Sequence, residues 1–290
     1  MSGDTLSFSD QFNILGQRVR IRTSKLAVAQ LLRTNFGAFT ANEGNLAADL
    51  DYTVTGPQPF KVQRTGRSAI ARAADAGDLL YEVEKDIVIE LQRRSPQLFF
   101  VHSGAIAWQG RASLFVAESG GGKSTTTWAM LHHGYGYLSD EIAPIALDDL
   151  QVHPYPHALC LKRLPPSYPL PAMTMRLNRT LHVPAHELPA PIVGEPCLLD
   201  AIFLLAHDPT ATEPSLRRLT AAEAAARLFV HALNALAHSD GGLDAALHVA
   251  SNARCFALTT AALPETCELV GSVLKQAFKA KQPGGTADSV

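Results

Sequence analysis

The chain has 290 residues, 47% hydrophobic and 18% charged, which gives room for one large domain or two modest ones around an ordinary apolar core and excludes a wholly disordered chain. Its 25 Lys and Arg against 27 Asp and Glu leave a net charge of -2, so no global basic field exists to hold nucleic acid or an anionic membrane. Cys160, Cys197, Cys255 and Cys267 lack the close pairing of zinc or redox motifs, the polar start carries no export pattern, and no stretch approaches the ~20 apolar residues of a membrane span, so the expectation is a cytoplasmic protein with reduced thiols.

In chain order, the pattern predicts a strand over 12–22, a helix over 25–33, a strand over 52–56 and a helix over 78–94. In the last of these Leu80, Val83, Ile87 and Leu91 recur at helical spacing, and Pro96 marks its stop. No motif in residues 1–95 ties to chemistry, and the stretch reads as a small N-terminal α+β lead-in domain. A second domain is expected over 96–278. It starts with a strand pair over 98–102 and 105–108, followed by a strand over 113–117 that feeds into Ser119-Gly120-Gly121-Gly122-Lys123-Ser124-Thr125. A helix over 125–133, closed by Gly134, leads to a short strand at 137–138 that ends in Asp140-Glu141. Trp128, Met130 and Leu131 read as the core face of that helix, and His132 and His133 as cations suited to its C-terminal end.

Ten of the 18 prolines fall between 151 and 200, so extended or looped backbone is expected there. The apolar run 201–205 reads as a buried strand. Thr220 and Glu223 have the spacing of a capping box opening a helix to about 237. A strand over 255–258 and a helix over 264–278 precede a polar tail, 279–290, expected to be disordered.

The order strand, glycine loop, helix, strand, acid is that of a phosphate-binding loop. Small residues let backbone N–H groups approach a phosphate while the helix offers its positive end. Lys123 would meet the β and γ oxygens, and the Ser124 hydroxyl would ligate Mg²⁺. The usual spacing has a glycine where this chain has Ala117; the competing reading is a Gly/Ser-rich surface turn.

Residues 102–144, with His102, the Gly120–Ser124 loop and Asp140-Glu141 in succession, resemble the core of the HPr serine kinase/phosphorylase family, and the likeness extends more loosely to about 258. The resemblance implies a P-loop core of the HPr kinase/phosphoenolpyruvate carboxykinase type, a mixed sheet flanked by helices. It also implies ATP-dependent phosphoryl transfer to a hydroxyl, typically serine, with Mg²⁺. HPr kinases carry a glycine-rich signature containing Arg-Gly, and this sequence has no Arg-Gly dipeptide, which points away from HPr itself as acceptor. Divergent relatives include kinases that phosphorylate a serine of lasso peptides, so a peptide or small-protein acceptor is expected.

By the same resemblance His102, Asp140 and Glu141 are the catalytic candidates. Either acid could be the base or, with Ser124, a Mg²⁺ ligand, and each has a bland alternative, a core histidine or a polar strand end. From 150 to 186 there is no Asp or Glu, while Lys162, Arg163, Arg176 and Arg179 fall inside the stretch. Lys162 and Arg163 are the preferred substrate-binding cations, against the alternative of a proline-rich loop with solvated charges. Two other functions compete: a nucleotide-binding regulator without transfer, and an HPr-type phosphorylase acting in reverse. The oligomeric state stays open.

Overall fold

The computed structural model describes residues 6–41 and 47–281, excepting the side chains from 277 onward. It is a mixed α/β structure whose sheets are flanked by helices.

The first sheet has β1 (Phe8–Ile14), β2 (Gln17–Thr23), β3 (Leu50–Thr55), β4 (Phe60–Arg64) and β5 (Ile70–Ala73) side by side in chain order. Only β2 and β3 run parallel, joined through α1 (Leu26–Phe36). In β2 the alternation decides the faces: Val19, Ile21 and Thr23 are buried, while Arg20 and Arg22 emerge to pair with Asp51 at 2.7 and 3.0 Å. The single strand expected over 12–22 is instead a hairpin. Leu15 and Gly16, at φ +49° and +77°, form the two-residue turn whose twist suits adjacent antiparallel strands. Across the sheet lies α2 (Ala76–Arg94), started by the Asp75 carboxylate accepting from the Asp78 N–H at 3.0 Å.

The main sheet begins with β6 (Leu98–Trp108) and β7 (Arg111–Val116). It continues, after α3 (Lys123–His132), with β8 (Gly136–Ser139), β9 (Ile142–Ala146) and β10 (Gln151–Val152). A small sheet of β11 (Leu159–Leu161), β12 (Met175–Arg176) and β13 (Leu181–Val183) occupies the proline-rich stretch. The main sheet then resumes with β14 (Cys197–His207) and β15 (Ser215–Arg218), followed by α4 (Ala221–Phe229), α5 (Leu243–Asn252), β16 (Arg254–Thr260) and α6 (Leu263–Lys281). Its order is β10-β9-β6-β7-β14-β16-β15, with β8 also on β6, and the run β7-β14-β16 is parallel.

The strand pair expected at 98–102 and 105–108 is one 11-residue strand, β6. Gly104 marks a close approach and not a turn, since a Cβ there would lie 2.2 Å from Thr127 Oγ1 on α3. The capping box of Thr220 and Glu223 is present, but α4 stops at Phe229, short of 237. The chain is diverted onto the edge of β6, where the His231 carbonyl accepts from the His102 N–H and the Leu233 N–H donates to the Phe100 carbonyl, each at 2.8 Å. Of the expected tail, 279–281 belong to α6, and 282–290 lie outside the described residues.

One apolar core unites α1, α2 and the first sheet, and it takes in Leu98, Phe100, Ile142 and Tyr155 from beyond residue 95. The helix α2 is therefore seated between the first sheet and the strands that carry the candidate site. No described helix is long and apolar enough to cross a membrane.

Candidate functional site

β7 delivers the chain to the glycine loop and α3 takes it away at Lys123. Gly120 and Gly122 stand at φ +88° and +95°, a region side chains disfavour, and a Cβ on Gly121 would come 2.7 Å from the Ala117 methyl. Ala117 itself has no positive φ, so the departure from glycine there is accommodated. Gly122 caps α3 without a side-chain bond to its first turn, so the helix's positive end faces the loop and not a capping oxygen. Lys123 is buried, and its Nζ folds back across the loop to donate to the Ala117 carbonyl at 2.9 Å. Burial lowers its pKa, opposed by the nearby charge of Glu141 and reinforced by that of Lys162. Ser124 and Thr125 occupy the first turn, half-buried.

Lys162 comes to this same loop, because β11 ends beside it: Nζ donates to Ser119 Oγ at 2.5 Å. Arg163, next in the chain, is exposed. The two cations paired in the sequence reading therefore separate, and Lys162 stands on the loop side.

Asp140 and Glu141 follow β8, where the Ser139 hydroxyl accepts from the Glu141 and Ile142 N–H groups at 3.3 Å and turns the chain. Their surroundings differ. The Glu141 side chain is 46% exposed, with Oε1 3.4 Å from His102 Nε2. Burial works to raise its pKa, but the hydrogen bond and charge of His102, with His157 and Lys123, outweigh that and hold the carboxyl below the ordinary glutamate value. Asp140 has no exposed surface. It accepts from Tyr137 Oη at 3.2 Å and the Cys160 N–H at 2.9 Å, and its Oδ1 lies 3.0 Å from His157 Nε2. On its other side His157 Nδ1 approaches Glu84 Oε1, from the middle of α2, to 3.4 Å. One buried imidazole is thus flanked by two carboxylates, and the contacts pair charge with charge. Burial disfavours the imidazolium, yet Glu84 and Asp140 together raise its pKa to about 9.

A cavity of about 690 Å³ lies between α2 and the main sheet. It is lined by His102, Glu141, His157 and Cys160 together with Tyr81, Glu84 and Val88 of α2, and the Glu84–His157 contact joins the two groups. Asn178, Arg179 and Thr180, from the turn between β12 and β13, close one end, and Leu233 also borders it. The cavity thus joins Glu141 to a wall supplied by the N-terminal part of the chain.

The sequence reading missed Glu84, His157 and His231. Glu84 sits among the charges of an ordinary helix face, and His157 lies within a proline-rich stretch, so neither has a local signal. The backbone of His231 holds His102, while burial, followed by the charges of Lys123 and His102, lowers its imidazole pKa. His132 stacks on Tyr168 at 4.9 Å, and His133 Nε2 reaches the Tyr168 hydroxyl at 2.7 Å, so both fasten the end of α3.

Among the described residues no group of three or more His, Cys, Asp and Glu side chains is placed to hold a metal ion. The Ser124 hydroxyl in the first turn of α3 and the Glu141 carboxylate are oxygen donors of the kind that Mg²⁺ takes alongside phosphate and water. No protein-family model matches this sequence, and no curated protein matches it significantly.

Proposed function

We propose that the chain is an ATP-dependent kinase of the HPr serine kinase-like type, with a P-loop core, transferring the γ-phosphoryl group to a hydroxyl of a peptide or small protein. The observation that carries the reading is the convergence of two features. A glycine loop with positive-φ Gly120 and Gly122 presents the buried Lys123, and the Glu141 carboxylate, near enough to that lysine to feel its charge, lines a cavity large enough for an acceptor. A nucleotide-binding switch needs the first feature and has no use for the second.

In this reading the start of α3 and the Lys123 ammonium take the phosphate oxygens, with Lys162 adding charge from the other side of the loop. Ser124, with phosphate and water oxygens, would hold Mg²⁺, which would supply charge neutralisation on the phosphates and leave Glu141 free as the base. The acceptor oxygen attacks the γ-phosphorus as its proton passes to Glu141. The bond from γ-phosphorus to the bridging oxygen breaks, and ADP departs with that electron pair. His102 orients Glu141. Asp140, saturated by Tyr137, Cys160 and His157, acts as a positioning residue that anchors the turn carrying Glu141.

The test is ATP binding and phosphate transfer in Lys123→Ala. Loss of a charge-assisted contact of ~1.5–3 kcal/mol should weaken ATP binding at least tenfold. Unchanged Mg-ATP affinity in a folded Lys123→Ala protein would overturn the reading.

A further inference from the structure

The cavity is a cleft drawn out along a helix. The α2 residues that line it run from Asp78 through Tyr81, Lys85 and Val88 to Gln92. At 1.5 Å per residue these positions span about 21 Å of helix axis, room for about six residues of extended chain at ~3.3 Å each. The reacting side lies beside the middle of that length, because Glu84 touches His157 and His157 touches Asp140, the neighbour of Glu141. The two halves differ in character. Toward the start of α2 the wall carries Asp78, Asn178 and Arg179, with Asn178 bonded to Asp75 at 2.6 Å and Arg179 close enough to Asp75 to lower its carboxyl pKa, behind that residue's own N-cap bond. Toward its end α2 offers Val88 and Ile89 before the polar Gln92, and Leu233 also borders the cleft; Ile89 and Leu233 keep 37% and 40% of their surface exposed.

We propose that this cleft is the acceptor site and that its ligand is an extended peptide segment. A serine hydroxyl sits at Glu141, and an apolar side chain about two residues to one side of it packs against Val88, Ile89 and Leu233. The proposal rests on the kinase reading and extends it to the substrate's class. The length of the cleft carries it, since a small metabolite would leave most of 21 Å empty, whereas an extended chain passing on both sides of Glu141 fills it. The spacing follows from the helix: Glu84 to Val88 is about 6 Å of axis, which two residues of extended chain cover. In the other half Asp75 is held by its N-cap bond and by Asn178, and the apolar half is where a side chain of the peptide can be sorted from a polar one. In this arrangement the N-terminal part of the chain, otherwise without chemistry, selects the substrate.

The experiment uses the full chain, labelled Mg-ATP and a degenerate peptide library in which one central serine is flanked by five randomised positions on each side. The expected result is phosphoserine in peptides enriched for Leu, Ile, Val or Phe about two positions from the serine. For a selected peptide, the surface substitutions Ile89→Arg and Leu233→Arg should raise KM about tenfold or more while leaving ATP affinity unchanged. Flat or charge-directed selection at those positions, unchanged KM in both variants, or label reaching no peptide from a chain that binds ATP would each overturn the proposal. A chain that binds no ATP instead brings down the kinase reading beneath it.

Discussion

Asp140 and Glu141 are neighbours in the chain and belong to two different regions. Glu141 faces solvent and lines the cleft, within reach of the charge of Lys123. Asp140 is sealed beneath it in a run of ionic contacts, Glu84 to His157 to Asp140, that ties α2 to the main sheet. A charge that does chemistry has to reach substrate, whereas a charge that is buried has to be paired or it destabilises the fold. On the proposed function the same pair of acids would supply one group for transfer and one for holding it in place, and the two regions should respond to substitution in opposite ways.

The largest expected effect lies in the open region. Glu141→Gln keeps shape and removes the proposed base, so phosphoryl transfer to a peptide acceptor should fall ~10²–10⁴-fold, with thermal stability changed within about 0.5 kcal/mol. The comparison breaks if Glu141→Gln transfers normally and Asp140→Asn does not.

In the sealed region the main cost is to stability. Asp140→Asn leaves the His157 imidazolium with Glu84 alone, and breaking one partner of a buried pair costs ~3–5 kcal/mol. Chemical denaturation followed by circular dichroism should show that loss, whereas an equally stable Asp140→Asn protein would place the carboxylate outside the load of the fold.

The network also sets a pH dependence. The folded pKa of His157, about 9, lies above its ordinary value near 6.5. Its contribution to stability is therefore complete below about 6.5 and is lost as pH rises through about 9, because the folded state then holds a proton that the unfolded state has released. The loss should be on the order of 3 kcal/mol across that window, visible as a falling denaturation midpoint, and it should vanish in His157→Gln. A midpoint that stays level from pH 6.5 to 9.5 would mean that His157 is neutral in the fold.

The part of this legible in the sequence was the local part. Strand, glycine loop and helix are contiguous, so β7, the loop and α3 could be read from neighbours, as could the capping box at Thr220. Long-range contacts decided the rest. Ser103-Gly104 has the look of a turn, yet β6 runs through it because Gly104 makes room for Thr127. The helix after Thr220 gives way at Phe229 because the edge of β6 captures 231–233, a bond pattern that periodicity does not carry. The strands β4 and β5 and the helix α5 were passed over, and nothing in 1–95 announced that α2 would form one wall of the cleft. The unequal standing of Asp140 and Glu141 depends on Glu84 and His157, both distant in the chain.

The smallest expected effect separates Lys162 from Arg163. The two adjoin at the end of β11 and both are exposed, but Lys162 Nζ lies 2.5 Å from Ser119 Oγ on the glycine loop, a contact that Arg163 does not share. If the loop binds phosphate, Lys162 contributes to nucleotide affinity and Arg163 does not. Lys162→Met should weaken ATP binding about tenfold, or ~1.4 kcal/mol, and leave the acceptor KM within twofold. Removing an exposed charge by Arg163→Met should change both by less than about twofold. Calorimetric titration with a non-hydrolysable ATP analogue, together with peptide kinetics at saturating ATP, separates the two residues. A larger effect of Lys162→Met on acceptor KM than on nucleotide affinity would move this lysine to the acceptor side and leave Lys123 as the loop's own cation.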